Sequence, residues 1–203
     1  MKLLVVRHGQ TQANAEQRYL GAFDLPLNEL GVLQAKDIAR TLSSDINALY
    51  CSPLLRARQT SALISETLGI PSRIAPAFRE RNVGVFEGLT QLEAATQFPL
   101  LWARNATRHW RDAPDGGESI EEVFLRVAAG LAQLRCDHGS KSILLVAHGF
   151  VAKVLRALVS NQSSDFFDWQ LGNGHTLELQ IPEGWTNCAA NFQFNTGHSN
   201  SAT

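Results

Sequence analysis

Two hydrophobic runs in this chain of 203 residues end on the same dipeptide: Leu4-Val5-Val6-Arg7-His8-Gly9 and Leu144-Leu145-Val146-Ala147-His148-Gly149. Short apolar runs that stop at a glycine read as strands buried on both faces. In an open parallel sheet, ligands sit beyond the carboxyl ends of the strands. Both imidazoles are therefore expected at one edge of one sheet, facing each other. Gly9 and Gly149 allow a tight turn after each histidine and a close approach of backbone to a ligand. Two imidazoles so placed can ligate a metal, act as a general base toward a hydroxyl, or attack an electrophile directly. A metal would want a third ligand, yet there is no His-Glu-x-x-His run or Cys-His cluster, and Asp24 is the one early loop carboxylate. A serine nucleophile would need a Gly-x-Ser-x-Gly elbow, which the chain lacks. Attack by a histidine gains ground.

The arginines speak to the electrophile. Arg7 adjoins His8, and Arg56 falls in the first turn of a helix expected to start at Ser52-Pro53. Guanidinium forks beside free helix N–H groups favour an oxyanion, so a phosphate pocket is expected there. Arg58 points to another face of the same helix and reads as solvated. The Gly-rich loops of nucleotide triphosphate and dinucleotide sites are missing.

Strands and helices alternate along the chain in a way that can deliver these groups. Leu3 to Val6 is followed by a polar loop, a helix capped by Asn28, a strand over Ala48 to Cys51, and the Ser52-Pro53 helix, stopped by Gly69. Arg73 to Phe78 is expected as a third strand, with Pro76 placing it near an edge. Capping-box spacing starts a short helix at Thr90/Glu93 and a long one at Ser119/Glu122. A strand over Ser142 to Ala147 and a helix from Phe150 to Val159 follow. His175 to Ile181 and Asn187 to Phe194 read as strands joined by a Pro182-Glu183-Gly184 turn, with a flexible tail from about residue 195. The pattern predicts an α/β fold of three layers, α/β/α, around a mostly parallel, doubly wound sheet.

Composition narrows the partners. A net charge of -1 from 18 Lys plus Arg and 19 Asp plus Glu gives no global field for nucleic acid or an anionic membrane. No apolar run approaches the roughly 20 residues of a membrane span. Three scattered cysteines, Cys51, Cys136 and Cys188, signal neither a disulfide framework nor a thiolate zinc site, and a cytoplasmic location is expected.

The ordered motifs Arg7-His8-Gly9-Gln10-Thr11, Asn14, Pro26-Leu27-Asn28 with Gly31, Ser52-Pro53-Leu54 with Arg56-Ala57 and Thr60, Arg79-Glu80 with Gly84 and Glu87-Gly88, Gly116-Gly117-Glu118-Ser119 and Val146-Ala147-His148-Gly149 resemble those of the histidine phosphatase superfamily, phosphoglycerate mutase-like branch. The likeness covers about the first 150 residues and implies a phosphoglycerate mutase-like fold with one domain over 1–203. It implies His8 as the nucleophile, phosphorylated in turnover, with Arg7, Arg56 and a charged His148 binding the phosphoryl group. Asn14 would add a hydrogen bond to phosphate, and Gly21 and Gly149 would line the substrate site. Glu80 would protonate the leaving alcohol, helped by a dry or acidic surrounding. Nucleophilic attack also asks that the other ring N–H of His8 be held by a carbonyl such as that of Gly9.

Gln10 stands where many relatives carry Glu, removing a negative charge near the pocket. The stretch of about 89–118 is short beside that of glycolytic mutases and lacks their adjacent arginine pair; it offers Trp102, Arg104, Arg108, His109, Trp110 and Arg111, and reads as a small lid. The reading that follows is a metal-independent phosphomonoesterase, without cofactor, acting on a small phosphorylated metabolite. A homodimer stays open. The alternatives are phosphoglycerate mutase-type transfer, an α-ribazole phosphate or phosphoserine phosphatase, and, in another class, a phospho-ligand binding module without turnover.

Overall fold

The structure is a computed structural model that describes residues 1–160 and 164–185. The expected strand over Asn187 to Phe194, the tail from 195 and Cys188 lie outside these residues. Strands β1 (Lys2–Arg7), β2 (Ala48–Cys51), β3 (Ser72–Ile74), β4 (Ser142–Ala147) and β5 (Thr176–Gln180) form one sheet in the order β3-β2-β4-β1-β5. All pairs are parallel except β5 on β1. Side chains alternate across the sheet, as a period of two requires. Leu3, Val5, Ile143, Leu145 and Ala147 pack with helices α6 (Ile120–His138) and α7 (Gly149–Ser160). Val6, Leu144 and Val146 pack with α2 (Glu29–Thr41) and α3 (Leu55–Leu68). The three-layer α/β/α fold is as expected.

Most helix signals act as read. Asn28 accepts from the Gly31 N–H, Thr90 and Ser119 close capping boxes at α4 (Gln91–Gln97) and α6, and Gly69 ends α3 at φ +66°. Four elements differ from expectation. Arg73 to Phe78 pairs only as the edge strand β3, because Pro76 opens a 3-10 turn over Pro76–Phe78. Helix α3 starts at Leu55 with Leu54 as its cap, since the Ser52 hydroxyl is engaged by His148 and the Leu55 N–H is taken by Asp24 at 2.5 Å. The polar loop after β1 contains a turn of helix, α1 (Gln12–Ala15), capped by Thr11. A further short helix, α5 (Pro99–Ala103), follows α4. Among the described residues, no helix is long and apolar enough to cross a membrane.

Candidate active site

Register alone brings the two histidines together. Arg7 pairs with Ala147 in the parallel β1–β4 ladder, and the His8 N–H extends it by donating to the Ala147 carbonyl at 3.0 Å. The next residues, His8 and His148, therefore leave adjacent strands side by side, with ring centroids 5.0 Å apart. Strand β2 flanks β4 on its other side, and the Ser52 N–H donates to the Val146 carbonyl, so Ser52 and then Arg56 enter from the same edge.

Both rings are buried, His8 at 3% and His148 at 0% exposure. His8 Nδ1 lies 2.7 Å from the Gly9 carbonyl oxygen, which can only accept, so Nδ1 carries the proton and Nε2 keeps its lone pair. That is the tautomer a nitrogen nucleophile needs. Arg56 Nε donates to Nε2 at 3.2 Å. Burial first, then the charges of Arg56 and Arg7, hold His8 well below the ordinary imidazole range; the Gly9 hydrogen bond works weakly the other way.

His148 Nε2 sits 2.6 Å from Ser52 Oγ, whose oxygen also accepts the Leu54 N–H at 3.3 Å. We assign the hydroxyl proton to Nε2 and the ring proton to Nδ1, which is buried and has no hydrogen-bond partner among the described residues. Burial, followed by Arg56, His8 and Arg7, pushes the His148 pKa well below the ordinary imidazole value in the free protein, so the charge that the resemblance implies would arrive with a bound anion.

Arg7 donates through NH1 to the Leu171 carbonyl at 2.5 Å, while its buried Nε has no partner among the described residues. Burial lowers its pKa, with Glu80 opposing. Beyond that bond to Nε2, Arg56 NH1 donates to the Phe23 carbonyl and NH2 to those of Leu20 and Gly21, so the guanidinium is anchored and fully buried. The loop that supplies these carbonyls is tied by Glu87, whose carboxylate accepts from the N–H groups of Ala22, Phe23 and Val83. Gly21 is required there: a Cβ would meet Glu87 Oε1 at 2.2 Å and the Arg81 carbonyl at 2.3 Å.

Glu80 is half-buried, with Oε1 accepting from Arg81 N and Oε2 from Phe150 N in the first turn of α7. Its backbone is clamped by Arg126, which donates to the carbonyls of Ala77, Arg79 and Glu80 and pairs with Glu118. The charge of Glu80 acts on Arg7, Arg56, Arg81 and Lys153, so its neighbours are cations and not the acidic groups expected as one alternative.

Arg7, His8, Asn14, Gly21, Glu80 and Gly149 line a cavity of about 310 Å³, whereas Arg56 and His148 lie beneath it. Asn14 Oδ1 is used by Thr11 N and Asn173 Nδ2, which leaves its amide N–H groups to donate. Gly9 makes its close approach to the Gly31 backbone rather than to a ligand, and Gly149 makes room for the Arg7 guanidinium. Gln10 turns away, accepting from Asn28, and does not line the cavity. Arg58 is exposed as expected.

Of the 89–118 segment only Thr107 and Arg108 reach the cavity; Arg104 and Arg111 pair with Asp112 and Glu121. The wall also contains Tyr19, Arg81, Lys153 and Gln170, which the sequence reading passed over. Lys153 was within reach, since it lies one helical turn after Gly149. Among the described residues no group of three or more His, Cys, Asp or Glu side chains could hold a metal ion.

A sequence model described as the histidine phosphatase superfamily (branch 1) matches residues 3–191. A metal-independent phosphoserine phosphatase of Arabidopsis thaliana is 33% identical over 167 residues, covering 80% of this chain and 70% of that protein. A mycobacterial glucosyl-3-phosphoglycerate phosphatase, solved in complex with VO3, is similar at a TM-score of 0.79 and 29% identity, covering 88% of this chain and 92% of the other. The α-ribazole phosphatase of Shigella flexneri is similar at a TM-score of 0.80 and 27% identity, covering 90% and 92%.

Proposed function

The chain belongs to the histidine phosphatase superfamily, branch 1, and from that premise we propose that it is a metal-independent hydrolase of small phosphomonoesters working through a phosphohistidine on His8. The observation that carries this is the state of the buried pair. His8 presents an unprotonated Nε2, and two buried donors, Arg7 Nε and His148 Nδ1, have no partner among the described residues. Orphaned donors beside a nitrogen lone pair suit an electrophile that brings its own oxygens.

In the first step Nε2 forms a bond to phosphorus as the ester P–O bond breaks, and the departing alkoxide takes the proton of Glu80. Arg7 and His148 donate to the equatorial oxygens, Asn14 adds its amide, and the Arg56 Nε–H, which donates to the Nε2 lone pair in the free site, turns to a phosphoryl oxygen as that lone pair bonds to phosphorus. In the second step the Glu80 carboxylate takes a proton from water, whose oxygen attacks phosphorus. The N–P bond then breaks and inorganic phosphate leaves. A loose phosphoryl transition state asks mainly for such alignment and positive charge. Binding of a phosphate dianion would also draw a proton onto His148, since it supplies the counter-charge that the free site lacks. Residues 89–118 act as the rim of the site through Thr107 and Arg108.

The VO3 complex of the mycobacterial relative supports a phosphoryl-sized oxyanion site in this fold. The test is hydrolysis of p-nitrophenyl phosphate in EDTA. Wild type is expected to turn over and His8→Ala to lose activity; no EDTA-resistant, His8-dependent release would leave the binding-module reading standing. Phosphate release in excess of isomerisation from 3-phosphoglycerate separates hydrolase from mutase.

A further inference from the structure

We propose that Glu118 and Arg126 are positioning residues for Glu80: an ion pair that grips the backbone on either side of it and so fixes where its proton is delivered. This rests on the reading of Glu80 as the donor to the leaving alcohol.

Glu80 stands on a stretch that belongs to no helix or strand, between the 3-10 turns Pro76–Phe78 and Gly84–Phe86. Strand register places His8 and His148, but nothing of the kind places Glu80. Arg126 supplies the substitute from α6. A guanidinium has five N–H donors, and here all five are engaged: Nε and NH2 with the two oxygens of Glu118, NH1 with the Ala77 and Arg79 carbonyls, and NH2 with the Glu80 carbonyl. Glu118 holds the same stretch further along. Its carboxylate also accepts from Arg79 NH2 and the Asn82 N–H, its carbonyl accepts from Arg81 Nε, and its own N–H donates to the Asn82 carbonyl. Each residue from 79 to 82 is therefore tied to this pair.

The pair is built to hold a direction. Its side chains are only 15% and 13% exposed, and the fork-to-fork pairing of Arg126 with Glu118 fixes orientation as well as distance. Burial pushes the Glu118 carboxyl up, yet the bonds from Arg126 and the Asn82 N–H outweigh it and hold the group below its ordinary range, ionised. Neither residue lines the cavity, so each reaches the chemistry only through what it holds. The Glu80 carboxylate takes one of its own hydrogen bonds from Arg81 N, on the gripped stretch, so a shift of that backbone carries the carboxyl with it. Small misplacements of a catalytic group are costly. The charge of Arg126 also weighs on His148, but that ring serves the phosphoryl group and not the leaving alcohol.

The experiment uses two esters of nearly one shape, p-nitrophenyl phosphate and p-nitrobenzyl phosphate. The phenolate leaves without a proton, whereas the benzyl alkoxide needs one. Their kcat/KM values run only to the release of the alcohol, which separates proton donation by Glu80 from its later action on water. Glu80→Gln sets the scale: the benzyl ester should lose about 10²-fold more than the phenyl ester. Glu118→Gln is expected to lower kcat/KM by about 10- to 100-fold for the benzyl ester and by about threefold or less for the phenyl ester. Added to Glu80→Gln, it should leave the ratio of the two esters unchanged, because the group it positions is gone. That ratio does not depend on how much of a sample is folded. Arg126→Lys, which keeps the charge and loses the fork, should show the same selective loss. Equal losses for both esters in Glu118→Gln and Arg126→Lys, beside a selective loss in Glu80→Gln, would overturn the proposal and leave the phosphatase reading intact. No selective loss in Glu80→Gln would remove Glu80 as proton donor and the proposal with it. No turnover of either ester by wild type would defeat the phosphatase reading and both assignments that rest on it.

Discussion

At the floor of the cavity, His8 and His148 are 3% and 0% exposed, and the atoms that orient them are the Gly9 carbonyl, the Ser52 hydroxyl and the Arg56 guanidinium, all fixed by backbone or by buried neighbours. At the outer rim, away from the cavity, Arg104 and Arg111 have side chains 56% and 80% exposed and pair directly with Asp112 and Glu121. The same residue type therefore does two jobs. Arg56 is held by four hydrogen bonds in a dry interior and sets the geometry of a reacting nitrogen, whereas a solvated pair such as Arg111–Glu121 contributes little beyond solubility. On the proposed reading, the chemistry belongs to the floor.

The sharpest way to break that contrast is at His8. His8→Ala should lower kcat by about 10⁴-fold or more, because no other nitrogen can replace a positioned nucleophile. Steady-state hydrolysis with a folded-state check by circular dichroism measures it, and a loss of less than tenfold would move the chemistry elsewhere.

Next comes Glu87, which touches no reacting group yet ties down the loop whose carbonyls hold Arg56. Glu87→Gln should lower kcat by about 10- to 100-fold, since small misplacements of a catalytic group cost that much. Glu87→Asp should recover part of it. An unchanged pH profile together with the fallen kcat would mark positioning rather than proton transfer.

The buried imidazoles also predict how stability follows pH. Both are held neutral in the folded protein and titrate near 6.5 when unfolded, so below about pH 6.5 the unfolded chain binds protons that the folded chain refuses. Stability is full above that value and falls as pH drops toward the depressed folded values, by about 1.4 kcal/mol per pH unit for each ring. His138, lowered first by burial, adds to the slope. Urea titrations between pH 7.5 and 5.5 should show the midpoint falling. A His138→Asn variant should keep the larger part of that fall, which comes from the floor. Saturating inorganic phosphate should flatten it, because a bound anion makes protonated His148 acceptable.

The smallest effect is expected at the rim. Arg104→Ala and Arg111→Ala should each change stability by less than about 1 kcal/mol and kcat by less than about twofold. A tenfold loss in either would give the exposed rim a part in the chemistry.

Much of the floor was legible because local signals and tertiary placement agreed. The apolar runs before His8 and His148 form adjacent parallel strands, and Asn28, Thr90 and Ser119 cap the helices they announce. Ser52 misled because its hydroxyl meets a partner 96 residues away, which no local window reveals. Asp24 looked like a weak metal ligand, yet it accepts the Leu55 N–H at the start of α3, again across the chain. The anchoring of Arg56 was hidden for the same reason: its acceptors are carbonyls of a loop, and carbonyls leave no trace in residue type. Arg81 could be placed on the wall only once α7 and the Glu80 segment were packed together, whereas Lys153 was within reach of helical spacing from Gly149.

The central claim is a covalent bond between phosphorus and His8 Nε2. Rapid acid-free quenching of wild type with ³²P-labelled phosphomonoester, followed by peptide mapping, should trap an acid-labile, base-stable phosphoryl group on the peptide containing His8, formed and lost at rates that account for kcat. Steady release of labelled phosphate with no label ever on that histidine would contradict it.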